Sequence, residues 1–164
     1  MRVKSLLLPI LLSGTLQTTF AAQPEAIVTH KAILDWQLAQ HLLQAARQTA
    51  EARHCCAIAI VDDGGWPILS ARMDDAPVVA GVELAQGKAR TSALFKRPSG
   101  DLENAINGGR QAAITAGLLM MKGAQPIVVE GRVIGAIGIS ADTPAHDDEI
   151  ALVAIAAVPR RVLP

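Results

Sequence analysis

Two short runs with no polar face restrict this chain more than anything else in it. One is Cys55-Cys56-Ala57-Ile58-Ala59-Ile60-Val61, and the other is Val133-Ile134-Gly135-Ala136-Ile137-Gly138-Ile139. Each has seven residues, far short of the roughly 20 needed to span a bilayer as a helix. Both are rich in β-branched residues and bounded by turn signals, so they read as strands buried on both faces. Asp62-Asp63-Gly64-Gly65 forms a turn after the first run, and Trp66–Met73 returns as its hairpin partner. Gln125–Glu130, a turn at Glu130-Gly131, and Arg132–Ser140 form a second hairpin. Gly135 and Gly138 imply close approach by another backbone or by a ligand.

Helices fill the intervals. Lys31–Arg53 carries Leu34, Leu38, His41 or Leu42, Ala45, Thr49 and Ala52 at helical spacing, with Thr29 positioned to cap it. Val79–Phe95 places Gly81, Ala85, Ala89 and Ala93 on one face, a small-residue stripe for close packing on a sheet or helix. Pro98–Gly109 reads as a short helical turn and loop. Gln111–Met121 fits either a strand or a short helix. Thr143 and Pro144 start the last helix, with Asp147, Asp148 and Glu149 in its first turns. Its continuation, Ile150–Val158, is apolar all round, which points to burial against a second subunit or another covering element. The element order gives an α+β fold, an antiparallel sheet with helices packed on it.

The 164 residues suffice for one domain with a core. Residues 1–21 read as a signal peptide: Arg2 and Lys4 precede the apolar Leu6–Leu12, and small residues precede cleavage after Ala21 or Ala22. Export to the periplasm or medium follows, with residues 22–164 as a single mature domain. Removing Arg2 and Lys4 leaves 13 basic against 15 acidic residues. That balance, with only 2% aromatic residues and no Tyr, offers no basic field and no stacking surface for nucleic acid. The neighbouring Cys55 and Cys56 do not form a disulfide framework; buried strand residues or an intermolecular bond are the readings left open.

No nucleophile elbow, zinc-protease helix or phosphate loop is present. The acid pairs Asp62/Asp63, Asp74/Asp75 and Asp147/Asp148 fall at turns or a helix start, where solvated caps explain them. Of the histidines at 30, 41, 54 and 146, His41 falls on the apolar stripe of the first helix, where an imidazole can ligate a haem iron or simply hydrogen-bond in the core. His30, just before that helix, is the alternative ligand.

Several strings, in order, resemble one family. They are Ala57–Gly65 (AIAIVDDGG), Ala71–Ala76 (ARMDDA), Lys88–Ala93 (KARTSA), Pro98-Ser99, Pro126–Gly131 (PIVVEG), Val133–Ser140 (VIGAIGIS) and Asp147. Together they cover roughly residues 31–158 and resemble the GlcG/HbpS-like haem-binding family, which includes the C-terminal domain of PduO-type proteins. The resemblance implies a profilin-like fold with a central antiparallel sheet of about five strands and flanking helices. It implies homo-oligomers, haem or a related tetrapyrrole as cofactor, and a sensor or membrane protein as a possible partner. Arg72 and Lys88 then either hold haem propionates or pair with Asp74 or Asp147. The chain departs from the family at Lys122-Gly123-Ala124-Gln125 and Ser140-Ala141, where glycines are usual. The function expected is an exported haem carrier, buffer or sensor accessory. The alternatives are a non-catalytic oligomeric accessory subunit, or an enzyme acting on a small metabolite or on haem.

Overall fold

The computed structural model describes residues 31–52 and 56–158, all within one compact unit spanning Lys31–Pro164. The proposed signal peptide, Thr29, His30, His54 and Cys55 lie outside the described residues. The elements are α1 (Trp36–Glu51), β1 (Ala57–Asp62), β2 (Pro67–Arg72), α2 (Gly81–Phe95), α3 (Ser99–Asn107), a 3₁₀ turn (Gln111–Ala116), β3 (Ala124–Val129), β4 (Arg132–Ser140) and α4 (Pro144–Ala156). The four strands form one antiparallel sheet in the order β2-β1-β4-β3.

The two apolar runs are therefore the central strands. Within β1 the lack of a polar face hides an alternation of size. Ile58 and Ile60 join the cluster packed by α1 and α4, together with Leu42, Ala46, Ile137, Ile139 and Ile150. Ala57, Ala59 and Val61 join Ala85, Ala89, Ala93 and Ala136 under α2. The small stripe of α2 thus packs on the sheet. A methyl group on Gly138 would come 2.2 Å from the Ala85 carbonyl oxygen and 2.7 Å from the Ala89 nitrogen. That glycine marks close backbone approach by α2. Gly135 does the same for the neighbouring strand and for Leu34, since a methyl there would lie 2.4 Å from the Val61 carbonyl oxygen.

The hairpin turns form as their residues require. Glu130 and Gly131 both take left-handed backbone angles (φ 49° and 74°), a two-residue turn whose twist matches that of its strands. At the other hairpin, Asp62 Oδ1 accepts from the Gly64 and Trp66 backbone N–H groups at 2.9 and 2.8 Å. The start of α4 is as the sequence indicates: Pro144 opens the helix and the Thr143 hydroxyl accepts from the His146 N–H at 3.3 Å.

Three expectations need correction. The first helix starts at Trp36, capped by Asp35, whose Oδ1 accepts from the Leu38 N–H at 2.7 Å. The extended segment before it lets Leu34 turn into the core, where Ala39 also packs, like a hydrophobic staple. The sheet has four strands among the described residues rather than about five. The ambiguous segment after residue 110 forms the 3₁₀ turn Gln111–Ala116, which buries no residue and so gives a strand no reason to form. The third concerns His41. The buried side of α1 consists of Ala39, Leu42, Ala46 and Ala50, one position along from the stripe containing His41.

Candidate functional site: two grooves and a buried ion pair

His41 is exposed. Its ring Nε2 lies 3.1 Å from the carbonyl oxygen of Ala157, beyond the last turn of α4. A one-residue step rotates a helical side chain by about 100°, which carries the imidazole off the apolar wall and onto an orphan carbonyl at a helix end.

Lys88 is only 2% exposed and Asp147 only 4%. The Lys88 ammonium donates to Asp147 Oδ2 at 2.5 Å and to the Ile139 carbonyl at 3.1 Å. Asp147 Oδ1 accepts from the Ala141 N–H at 2.5 Å. The pair ties α2 to the start of α4 and to the end of β4. Gly123, at φ 119°, makes room for it, since a Cβ there would lie 2.5 Å from that of Asp147. Burial pushes the Asp147 carboxyl above the ordinary aspartate value, against the opposing pull of Lys88 and the Ala141 N–H. Of the partners the sequence offered Lys88, Asp147 is the one it meets. Its charge is matched inside the protein and is not presented to a carboxylate at the surface.

Arg72 ends β2, the edge strand, and lines a groove of about 380 Å³ between that strand and α1. Leu43, Ile58, Ala71 and Met73 supply its apolar lining. Arg47 faces it from α1, and Asp74 and Asp75 lie at its end. Arg47 also pairs with Glu51 one turn on, at 2.8 Å, in an exposed contact. Arg72 makes no ion pair among the described residues. Sequence reasoning singled out Arg72 but not Arg47 or Met73 as site residues; Arg47 lies off the apolar stripe of the first helix, so periodicity gives no signal for it. Its lining combines apolar side chains with two guanidinium groups and two carboxylates. Apolar side chains can take a ring edge, two guanidinium groups can hold carboxylates in forked hydrogen bonds, and the Met73 thioether is a soft donor. Of the four candidate site residues, then, Arg72 lines this groove, His41 sits on the α1 surface at the end of α4, Lys88 is sealed beneath α2, and His30 lies outside the described residues. No cluster of three or more His, Cys, Asp or Glu side chains suited to a metal ion occurs among the described residues.

A second groove, of about 450 Å³, opens on the α2 side of the sheet beside the first hairpin turn. Trp66 stands 66% exposed at its rim, with the Arg90 guanidinium carbon 5.3 Å from the ring centroid.

A family model described as "Haem degrading protein HbpS-like" matches residues 34–156, three quarters of the chain. This chain belongs to the HbpS-like family. Protein GlcG of Escherichia coli K12 is 42% identical over 113 residues, spanning 67% of this chain and 83% of GlcG. Corrinoid adenosyltransferase PduO of Citrobacter freundii is 31% identical over 131 residues, which cover 76% of this chain but only 39% of PduO. A PduOC chain solved as its haem complex superposes with a TM-score of 0.69 at 28% identity, over 77% of this chain and 96% of that one. HbpS itself superposes with a TM-score of 0.75 over 85% of this chain and 99% of that one; at 24% identity that likeness shows the fold. The chain thus has an HbpS-like α+β fold, with four antiparallel strands among the described residues between α2 and the α1–α4 pair.

Proposed function

We propose that this HbpS-like chain is an exported haem-binding protein that works as a carrier, buffer or sensor accessory. The observation that carries the reading is its likeness to the PduOC chain solved with haem. The Arg72 groove supports it from the side of chemistry. Arg72 and Arg47 offer guanidinium groups to propionates, Leu43 and Ile58 offer an apolar wall, and Met73 offers a thioether. When bound, haem supplies a redox-active iron and a strong visible chromophore. The chain's own contribution is to hold carboxylates, shield one edge of the ring from water and fix its orientation. His41 and His30 remain candidate iron ligands; with its Nε2–H donating to the Ala157 carbonyl, His41 keeps Nδ1 for the iron. Leu152 and Val153 stand half-exposed on α4, the helix whose sequence is apolar all round, and a homo-oligomer would cover them.

Visible absorption during a haemin titration of residues 22–164 tests the reading. The expected result is a saturable, shifted Soret band, with affinity lowered about tenfold by Arg72→Ala. Replacing each of His30, His41, His54 and His146 by Ala in turn assigns the axial ligand. Absence of a saturable band would remove haem from the account and leave the accessory-subunit reading. Cell fractionation with N-terminal sequencing tests export: the exported protein should begin at Ala22 or Gln23, and a cytoplasmic chain beginning at Met1 would contradict it.

A further inference from the structure

The Trp66 groove lies outside everything assigned to haem above, and it is built with some care. Three contacts pin the backbone beneath the indole. Asp62 Oδ1 takes the Trp66 N–H, Asp62 N–H donates to the Trp66 carbonyl at 2.9 Å, and Gly65 N–H donates to the Asp62 carbonyl at 3.0 Å. The ring stands 66% exposed, although a hydrophobic side chain of this size ordinarily gains by burial. Gly65 has a positive φ of 76°, and a Cβ there would lie 2.8 Å from Arg90 Cγ. Only a glycine lets the Arg90 side chain cross the turn. Having crossed, it donates from Nη1 to the Gly65 carbonyl at 3.3 Å and rests over the indole. No acidic partner meets Arg90 among the described residues, so most of its five N–H donors are unspent.

We propose that Trp66 and Arg90 form a stacking site for a small planar aromatic molecule bearing one carboxylate. The exposed indole offers a flat apolar surface, and aromatic rings favour offset stacking on it. The guanidinium held over the ring offers paired donors that match a carboxylate's two oxygens. Val61, Pro67 and Gly87 wall the groove, and its volume of about 450 Å³ suits a molecule of one or two fused rings. Glu83, exposed in the first turn of α2, lines the same groove and repels a second negative charge. That selects a monoanion over a dianion. The inference does not rest on haem binding.

In a Trp36→Phe background Trp66 is the only tryptophan, so its fluorescence reads the site alone. The probe is benzoate, with benzamide as its neutral counterpart, both transparent at the red edge of the indole band where Trp66 is excited. The carboxylate should quench Trp66 saturably, and the carboxamide should bind about tenfold or more weakly. Arg90→Gln should weaken the carboxylate by a similar factor without changing the circular dichroism or thermal midpoint, and Glu83→Gln should tighten it. Calorimetry on Trp66→Leu, which is blind to fluorescence, should show binding lost. No saturable quenching at millimolar probe, equal binding of the carboxamide, or indifference to Arg90→Gln would each overturn the proposal. So would a failure to bind the probe combined with a fall in oligomer mass on Trp66→Leu, which would make the platform a contact between copies.

Discussion

The two faces of the sheet are built on opposite principles. The face under α1 and α4 is filled by large aliphatic side chains, among them Ile58, Ile60, Ile137, Ile139 and Leu42. The apolar cluster under α2 holds, apart from Val61, nothing larger than a methyl: Ala57, Ala59, Ala136 and Gly138 meet Ala85, Ala89 and Ala93. The first face is held by apolar area removed from water. The second is held by backbone proximity, which allows a helix to lie so close that a buried ammonium reaches from it to the end of β4. Large-to-small changes should therefore injure the first face, and small-to-large changes the second.

The largest effect is expected from Gly138→Val. Its Cβ would overlap the backbone of α2, not a side chain that can swing away, and overpacking against backbone should cost about 3 kcal/mol or more. The chain should fail to give a cooperative thermal transition; a normal one would mean that α2 can lift off the sheet. Next comes Asp147→Ala, which leaves the Lys88 ammonium buried without its partner, at a cost of about 3–5 kcal/mol in urea unfolding. The double change Lys88→Met/Asp147→Leu should recover most of that loss, because a desolvated pair is readily replaced by apolar groups. Ile137→Ala opens a cavity on the aliphatic face and should cost about 2–5 kcal/mol. Ala136→Gly, directly beside it but facing α2, should cost about 1 kcal/mol or less. If the two were equal, the contrast between faces would fail.

The smallest effect is in pH dependence. Burial raises the Asp147 carboxyl above its ordinary value, so folding takes up a proton there. The stability this group contributes is complete below the ordinary aspartate range and is lost as pH rises through the raised value. The stability of the wild type relative to the Lys88→Met/Asp147→Leu protein should therefore increase as pH falls from neutral toward about 4. A decrease would show that the ion pair outweighs its desolvation.

Much of this fold could be read from the chain. The two hairpins, the α2 stripe and the Thr143-Pro144 helix start are local patterns, set by residues a few positions apart. What could not be read depends on a small rotation or on a distant partner. Leu42 and His41 are adjacent, and periodicity alone did not separate the buried one from the exposed one. Asp35 displaced the expected cap because Leu34 gains more by packing into the core than by joining a helix. Lys88 sits beside alanines that clearly face the sheet, yet its burial needs Asp147, 59 residues away. Arg47 and Arg72 share a groove only because α1 crosses the edge strand, a relation that no spacing encodes.

The placement of haem is the point at which fold and proposed function meet. Haemin broadens amide signals of nearby residues, so a nuclear magnetic resonance spectrum of the mature domain with substoichiometric haemin reads its position directly. Broadening is expected at Leu43, Gln44, Ile58, Arg72 and Met73, beside α1 and the edge strand, while Ala85, Lys88 and Ala89 on α2 stay sharp. Broadening centred on α2, with Arg72 and Met73 untouched, would contradict that placement.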